Sequence, residues 1–447
     1  MLWKFSKKFQ FAADKIIPDS FVFCIILTLI VFILGLIFTG TGPLGLVLSW
    51  YSGLWSMIAF AFQMAFMVIC CGAAAKAPQI EKLLIKIAKL SKSREVAMAI
   101  LIIFGLASSI VNWAFSLILT PILAMQLSKY VKGLHFPLMI AIGYSGMLLG
   151  QCWCPSASVY ALVASEGHFL EEAIGILTQA ETTYNPVNTV LFFILSAVTV
   201  IVGIITKPPS DEVVMYVPEN EDHMEAAAIQ DKEVRTIAER MNGSRILMLI
   251  IGLAGLTIIV DSFIKKGFIG SLNFNFVIFL FLTLNMFLYN TPRSFVTAFR
   301  ESMKPATEVM MQFPFYGGIM GIMSGSGLTG IMADGLVQIA TLRTLPLFSY
   351  LSASIVNLFV PSQGGQWIVQ GPVLVEATKS LGGDLPTVIN AFVYGDEATN
   401  LIQPLYIIPA LSLVNMKLKE VWGFMAFIWF IWFIVTMAGL YILPSIL

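Results

Sequence analysis

The chain has 447 residues, of which 58% are hydrophobic and only 12% are charged, and its mean hydropathy is +0.86. Soluble domains carry about 25% charged residues, so this composition excludes a water-exposed globule and indicates a multi-pass protein of the lipid bilayer. Lys plus Arg (26) balances Asp plus Glu (26), which argues against a nucleic-acid partner, because such a partner needs a basic excess or patch. The five cysteines lie in or beside apolar segments, which favours buried thiols over a disulfide framework.

The first long apolar run, Ser20 to Phe38, is long enough to cross a bilayer and lacks a following small-residue cleavage site. It is interpreted as a transmembrane helix rather than a signal peptide. Further apolar segments, each predicted to be helical, lie near 56–75, 96–131, 136–163, 186–205, 246–264, 273–288, 306–323, 345–381, 386–413 and 421–443.

Two of these segments, 96–131 and 345–381, are too long for one crossing and are interrupted by polar residues at their centres. Non-helical backbone at membrane depth is tolerated only inside protein or against a water-filled cavity. Each segment therefore predicts a re-entrant hairpin of two half-helices whose tip lines a site. The interrupting residues are Ser108, Ser109, Asn112 and Ser116 in the first segment, and Asn357, Pro361, Ser362, Gln363, Gly364, Gly365 and Gln366 in the second.

A hydrophilic segment at 206–245 divides the chain and is interpreted as a cytoplasmic linker with a surface helix from Ile229 to Met241. The predicted organisation is a first membrane repeat at 1–205 with a hairpin at about 96–131, the linker, a connecting transmembrane helix at 246–264, and a second membrane repeat at 265–447 with a hairpin at about 345–381.

The two halves share a nearly constant sequence offset. Ser109 to Asn112 recurs identically as Ser354 to Asn357, and the other matched pairs are all 249 residues apart: Pro43 with Pro292, Gln63 with Gln312, Phe66 with Phe315, Pro137 with Pro386 and Pro155 with Pro404. Paired repeats with broken helices at matching places are typical of secondary transporters. The sequence thus predicts an internal structural repeat.

The distribution of Lys and Arg predicts the topology. With a cytoplasmic N-terminus, most basic residues of the loops fall on the cytoplasmic side, as the positive-inside rule requires. The connecting helix then places the two repeats in opposite orientations. The first hairpin enters from the cytoplasm and the second from outside, so that their tips meet near the midplane.

The second hairpin tip has the chemistry of an anion site. Its glycines free backbone N–H groups, and the helix that follows presents a positive dipole end. A carboxylate substrate fits this chemistry, whereas a packing kink without a ligand is the alternative. The candidate substrate-binding residues of the two tips and their surroundings are Ser109, Asn112, Trp113, Ser116, Asn357, Ser362, Gln363, Gly364, Gly365, Gln366, Trp367 and Asn400.

Carboxylates follow the second hairpin. Asp396, Asn400 and Gln403 are spaced to share one helix face, with Gly395 and Pro404 placed to unwind either end, while Glu397 points about 100° away around the helix. Intramembrane carboxylates are costly and usually functional, so we expect Asp396, ahead of Glu397, to bind a coupling cation or proton. A structural hydrogen-bonding role is the alternative. The coupling candidates are Asp396, Glu397, Thr399, Asn112 and Asn357.

Three stretches carry a family resemblance: Gln312 to Ile319, Val360 to Pro372, and Tyr394 to Pro404. They resemble the short-chain fatty acid transporter family, which is grouped with an ion transporter superfamily of dicarboxylate and aminobenzoyl-glutamate carriers. The resemblance runs from Ile17 through the final helix and adds Gln312 to the candidate site residues. It implies inverted repeats, two hairpins, a homodimer and an elevator-type movement of one domain against the other.

Two departures from the family pattern concern the substrate. Gln363 replaces a glycine of the usual triple glycine, and Trp153, within Cys152 to Ser156, adds bulk where small residues are usual. Acetoacetate or butyrate as the particular substrate is therefore open.

The sequence predicts a secondary transporter of the cytoplasmic membrane that takes up small monocarboxylates with Na+ or H+. A carrier for a dicarboxylate or another organic anion, or an anion channel, is the alternative. The chain is not expected to be an enzyme, and it is expected to need no cofactor and no metal other than Na+.

Overall fold

The computed structural model describes residues 20–208, 213–217, 236–358 and 362–447. The regular elements in the first half of this part of the chain are helices. Its helices are α1 (Ser20–Phe38), α2 (Pro43–Ser56), α3 (Ile58–Ala75), α4 (Pro78–Ala88), α5 (Arg94–Val111), α6 (Trp113–Tyr130), α7 (Phe136–Gln151), α8 (Ser158–Val163), α9 (Glu171–Ile174) and α10 (Pro186–Ile205).

The second half is helical in the same way. Its helices are α11 (Ile237–Asn242), α12 (Arg245–Ser271), α13 (Phe274–Leu288), α14 (Pro292–Glu301), α15 (Met303–Ser326), α16 (Leu328–Ile339), α17 (Leu345–Asn357), α18 (Gln363–Leu381), α19 (Leu385–Asn400), α20 (Pro404–Leu413) and α21 (Leu418–Ile442), followed by a short 3-10 turn, Leu443–Ser445.

Local sequence explains many of these helix starts. Helices α2, α4, α7, α10, α14, α17 and α19 each carry Pro at one of their first two positions, where its missing N–H costs nothing. Side-chain caps begin others: Asn112 accepts from Ala114 N and Phe115 N at the start of α6. Five described helices are long and apolar enough to cross a membrane, namely Ile58–Ala75, Arg94–Val111, Pro186–Ile205, Arg245–Phe268 and Leu418–Ser445.

The structure refines several predicted segments. Segment 96–131 is broken at Asn112 into α5 and α6, but each arm has 18 residues and so spans about 27 Å, longer than the predicted half-helices. Segment 136–163, predicted as one run, ends its helix at Gln151 and resumes at Ser158. Helices α2, α4, α9, α14 and α16 were not predicted as separate elements. The expected helix Ile229–Met241 is described only from Ile237 to Asn242, and Pro361 lies outside the described residues.

Close helix crossings form where glycine replaces a side chain. A Cβ on Gly53 of α2 would lie 2.2 Å from Gly317 O of α15, and its Cβ would also approach Gly321 Cα at 2.9 Å. Gly317 and Gly321 form the small-xxx-small pattern that lets membrane helices approach. In the same way Gly146 of α7 meets Ile102 O of α5, and a Cβ there would lie 2.8 Å from that oxygen.

The helices form two groups. In the first group, α15 packs on α1, α2 and α3, and α3 also packs on α13. In the second, α5 packs on α7 and α10, α17 packs on α19, and α21 contacts α7, α10 and α19. The groups meet where α6 packs on α3 and where α18 packs on α15. Apart from Gln312 on α15, the polar residues predicted to form a site lie in the second group, at or near the breaks between its helices.

Candidate functional site

The first hairpin tip is centred on Asn112, whose backbone is extended (φ −166°, ψ 134°) between α5 and α6. While its Oδ1 caps α6, its Nδ2 donates to Ser156 Oγ at 2.9 Å. Ser156 lies in the break between α7 and α8, and both residues are fully buried. The tip is therefore fixed to the broken helix of the same half.

The second hairpin makes the corresponding contact through Asn357, the last residue of α17. Its Nδ2 donates to Asp396 O at 2.8 Å, to Thr399 Oγ1 at 3.0 Å and to Asn400 Oδ1 at 2.8 Å. Asn400 Nδ2 in turn donates to Asp396 Oδ2 at 3.2 Å. The structure thus brings four predicted site residues together: Asn357 at the end of α17, and Asp396, Thr399 and Asn400 at the end of α19.

Asp396 and Glu397, called here the carboxyl pair, are both fully buried. One amide nitrogen, Asn400 Nδ2, serves both carboxyls, since it lies 3.2 Å from Asp396 Oδ2 and 3.5 Å from Glu397 Oε2. Neither carboxyl forms an ion pair with a basic residue in the described part of the chain. Two adjacent buried negative charges are costly unless a cation or a proton accompanies them. The pair is therefore suited to hold one.

Glu397 contacts both halves of the chain. Its Oε1 accepts from Gln363 Nε2 at 3.1 Å, and its Oε2 accepts from Gln151 Nε2 at 3.0 Å. Gln363 begins α18 of the second hairpin, whereas Gln151 ends α7 of the first half. Gln363 also reaches the first half directly, because its Oε1 accepts from Val159 N at 3.1 Å.

The start of α18 is enclosed by polar and aromatic neighbours. An added Cβ on Gly364 would lie 3.2 Å from Phe313 Cε1 and 3.2 Å from Ser158 Cβ, and one on Gly365 would lie 2.6 Å from the Tyr316 ring. Phe313 and Tyr316 belong to α15, and Ser158 begins α8. Tyr316 OH donates to Oε1 of the predicted site residue Gln312 at 3.2 Å. Ser362 caps α18 by accepting from Gly365 N at 3.4 Å.

Other predicted site residues take part in packing. The Ser116 hydroxyl lies 2.8 Å from Ser108 Oγ. Ser109 is buried against α7, where a Cβ added to Gly150 would lie 2.6 Å from the Cβ of Ser109. Both serines therefore hold the first hairpin together and pack it on α7. Trp113 follows Asn112 and is partly buried, packed against the apolar core at the start of α6.

In the second hairpin Gln366 Nε2 donates to Ala353 O at 2.8 Å, joining the two arms. Trp367 is fully buried and packs edge to face on Phe392, with ring centroids 5.0 Å apart. The two residues consequently stabilise the hairpin itself and its contact with α19.

Two further expectations are corrected. Helix α19 ends at Asn400, so Gln403 lies beyond the helix, and the break falls there and not at Gly395. Trp153 does not add bulk to the site, because it stacks on Phe192 of α10 (centroids 5.3 Å apart, planes at 10°) and donates to Thr189 Oγ1.

The sequence reasoning missed Gln151, Ser156, Ser158 and Val159. A signal existed for the first of them, since Gln151 stands 249 residues before Asn400 and both end the broken helix of their half. Tyr144 was also missed; its hydroxyl donates to Asn400 O at 3.1 Å.

Several helices are apolar and long enough to span a bilayer. They surround helix breaks whose buried polar side chains converge on the carboxyl pair. This arrangement defines a membrane transporter of the α-helical class. Comparison with known proteins identifies the family. The family described as "Short chain fatty acid transporter" matches residues 1–443, and the chain belongs to this family.

Curated relatives agree with that assignment. A protein of Escherichia coli (strain K12), proposed by its name to be a short-chain fatty acid transporter, is 30% identical over 431 residues, covering 95% of this chain and 96% of the relative. A protein of Haemophilus influenzae with the same name is 28% identical over 466 residues, covering 99% of this chain and all of the relative. The protein is accordingly a transporter and not an enzyme.

Solved structures show the same fold at low sequence identity. The Alcanivorax borkumensis YdaH transporter has a TM-score of 0.58 and 14% identity, with 96% of this chain and 98% of that chain covered. Neisseria gonorrhoeae MtrF, described as illuminating a class of antimetabolite efflux pumps, has a TM-score of 0.51 and 14% identity, with 100% and 98% covered. The likeness shows that this chain shares their fold.

Proposed function

We propose that this protein takes up short-chain monocarboxylates across the cytoplasmic membrane together with Na+ or H+. The observation that carries the proposal is the buried carboxyl pair, without a basic partner among the described residues, hydrogen-bonded to the tip of a helical hairpin. Such a pair binds a cation or proton, and the adjoining tip offers donors to an anion. The family and its relatives support the same substrate class.

The substrate carboxylate binds at the start of α18. Its donors are the backbone N–H groups of the first turn and the hydroxyls of Ser362 and Ser158, beside a positive helix end. Phe313, which is 1% exposed, and Tyr316 provide an apolar wall against which a short acyl chain packs. Residues 362–365 and Ser158 have no hydrogen bond or ion pair to Lys, Arg or His in the described part of the chain. This arrangement favours a monocarboxylate over the alternative dicarboxylate, whose second charge would lack a partner.

The coupling cation binds beside Asp396. Asp396 Oδ1 and Asn357 Oδ1 are both buried acceptor oxygens with no hydrogen-bond partner in the described part of the chain. Asn357 Nδ2 bonds to the backbone of Asp396, so these two oxygens belong to one cluster. Oxygen atoms of this kind suit Na+, and a proton on the carboxyl pair would serve the same electrostatic purpose.

Matching helix bounds support an inverted repeat. Helices α1–α8 are matched in order by α13–α20, and Phe136–Gln151 and Leu385–Asn400 differ by 249 residues at both ends. The packing follows the same correspondence between helices. Helix α3 packs on α13 and α6, and its counterpart α15 packs on their counterparts α1 and α18. In a repeat of this kind the extra helix α12 between the halves inverts the second one.

An elevator movement follows from the two helix groups. The group that contains the site, α5–α8, α10 and α17–α21, moves against the group α1–α3 and α12–α15, sliding at the α3–α6 and α15–α18 contacts. We expect the group α1–α3 and α12–α15 to form the interface of a homodimer, which cross-linking in membranes would test.

Uptake by reconstituted protein tests the transport proposal. Proteoliposomes should accumulate labelled monocarboxylates of two to six carbons when a Na+ gradient or a H+ gradient is imposed separately. The chain length taken up fastest identifies the substrate, and the effective gradient identifies the coupling ion. Uptake of a C4 dicarboxylate but of no monocarboxylate would overturn the proposal, and unitary currents in single-channel recordings would indicate a channel.

Accessibility tests the inverted topology. Lys92 and Lys266 are exposed on the loop before the first hairpin and at the end of α12. The five native cysteines are buried, so cysteines introduced at these two positions should dominate labelling by an impermeant maleimide. We expect labelling from opposite sides of the membrane. Labelling from the same side would remove the inverted arrangement.

A further inference from the structure

Gln363 joins three segments through one carboxamide. Its Oε1 accepts from Val159 N of α8, and its Nε2 donates to Glu397 of α19, each at 3.1 Å. The side chain is only 6% exposed. The carboxamide therefore lies between the second hairpin, the first half of the chain and the carboxyl pair.

A carboxamide and a carboxylate have the same planar shape. A carboxylate oxygen at the position of Gln363 Oε1 would accept the Val159 N–H more strongly, because a hydrogen bond to a charged acceptor is roughly twice as strong as a neutral one. Ser158, immediately before Val159, offers a second donor, since its hydroxyl has no hydrogen bond in the described part of the chain. A substrate carboxylate and the Gln363 carboxamide cannot both occupy this place.

We propose that the Gln363 carboxamide is a built-in substitute for the substrate carboxylate. It occupies the Val159 N–H when no substrate is bound, and the substrate displaces it on binding. This inference rests on the proposed function, because it takes a monocarboxylate as the ligand of the α18 tip.

The Gln363 carboxamide, in the place of the substrate, affects the transport cycle. Without substrate, the carboxamide still gives Val159 N–H an acceptor and Glu397 a donor, so the second hairpin can close over satisfied polar groups. A transporter that performs net uptake must return without substrate, whereas exchange of substrate for substrate needs no such step. Gln363 should therefore matter for net uptake more than for exchange.

Butyrate binding to the purified full-length protein in detergent tests the displacement. Gln363→Ala removes the competitor, so the Kd for butyrate should fall about tenfold, equivalent to about 1.4 kcal/mol. In proteoliposomes the same variant should lose most of its net uptake while butyrate exchange persists. Gln363→Ser, whose short side chain reaches neither Val159 nor Glu397, should behave in the same way and serves as a second variant if Gln363→Ala fails to fold.

Two control variants separate this role from others. Gln370→Ala removes a buried glutamine two turns along α18, which contacts Ser352 and Gln366 instead, so it should leave the Kd unchanged. Gln151→Ala removes a different amide donor of Glu397 without touching Val159, so it should not tighten butyrate binding. If Gln151→Ala tightens binding as Gln363→Ala does, Gln363 acts only through Glu397 and the inference is overturned.

The outcomes for Gln363 itself are equally decisive. Weaker butyrate binding by Gln363→Ala would make the carboxamide a ligand of the substrate, and an unchanged Kd would make it a structural contact; either result overturns the inference. If the unsubstituted protein neither binds nor transports any monocarboxylate of two to six carbons, the proposed function itself fails, and the wild-type measurement alone reveals this.

Discussion

The carboxyl pair offers a matched comparison between neighbouring residues. Glu397 uses both oxygens as acceptors, from Gln363 Nε2 on one side and Gln151 Nε2 on the other. Asp396 uses one oxygen, which accepts from Asn400 Nδ2, and its Oδ1 has no partner among the described residues. Replacing either carboxyl by an amide removes one negative charge from the same buried pair, so the relief of repulsion is common to both variants.

The difference between the variants measures the hydrogen bonds. In Glu397→Gln the new NH2 group must face an amide donor on one side or the other, whereas in Asp396→Asn it can take the unpartnered Oδ1 position. A hydrogen bond to a charged group contributes about 1.5–3 kcal/mol and a neutral one about 0.5–1.5 kcal/mol, and a buried group left unsatisfied costs about 1–3 kcal/mol. We expect Glu397→Gln to be less stable than Asp396→Asn by about 1–3 kcal/mol.

Thermal unfolding of both purified variants in the same detergent gives the comparison. The Glu397→Gln protein should unfold at the lower temperature. Equal unfolding temperatures, or a lower temperature for Asp396→Asn, would show that the hydrogen bonds of Glu397 do not hold α19 to the hairpin tip and to α7 as argued.

The same two variants separate the coupling role from the structural one. If Asp396 carries a proton, Asp396→Asn should retain exchange of substrate between filled compartments but lose gradient-driven accumulation. If Asp396 binds Na+, the variant should need more Na+ for half-maximal uptake. Accumulation at the parent level by Asp396→Asn, together with its loss in Glu397→Gln, would assign the coupling role to Glu397.

Two further predictions concern packing and pH. Gly365→Ala should destabilise the protein by about 1–3 kcal/mol, because its Cβ would lie 2.6 Å from the buried Tyr316 ring. Gly335→Ala, whose Cβ meets nothing within 4 Å, should be neutral or stabilising. Thermal unfolding in detergent compares the two variants. Burial lowers the pKa of His135 below its ordinary value of 6.5, and its Nδ1 accepts from Val214 N at 3.0 Å. Protonation of His135 is therefore harder while segment 213–217 is bound to it than when the segment is released. The segment should consequently lose protection from hydrogen exchange as the pH falls below about 6.5. His135→Leu should abolish this pH dependence.

The architecture was accessible from sequence because its signals are local or periodic. The run Ser20–Phe38 is a helix with the predicted bounds, and Asn112 breaks the first hairpin where the polar interruption lies. The constant offset of 249 residues also separates the bounds of α7 and α19. These features depend on hydropathy, on polar residues within apolar runs, and on residue counting, all of which a single sequence contains.

The contacts within the site were not accessible in the same way. Helical spacing gives the angle between Asp396 and Glu397 around α19, but not the identity of the neighbours on each side. The structure places Gln363 and Gln151 beside Glu397, contacts that bridge 34 and 246 residues of sequence. Trp153 was misjudged for the same reason, since only the position of α10 shows that its ring packs away from the site.

The asymmetry between the halves fits the proposal that one site holds both an anion and a cation. Gln151 and Asn400 are 249 residues apart and each ends its helix, yet the residues before Asn400 include two carboxyls, and those before Gln151 include none. The first half consequently contributes neutral donors, Val159 N–H and the Gln151 amide, while the second half contributes the negative charge. Carboxyls in both halves would surround a carboxylate substrate with like charge. Under the proposed function, with the carboxyl pair confined to α19, a cation bound there would also lower the cost of placing the substrate anion at the adjoining tip, so that each ligand would favour binding of the other.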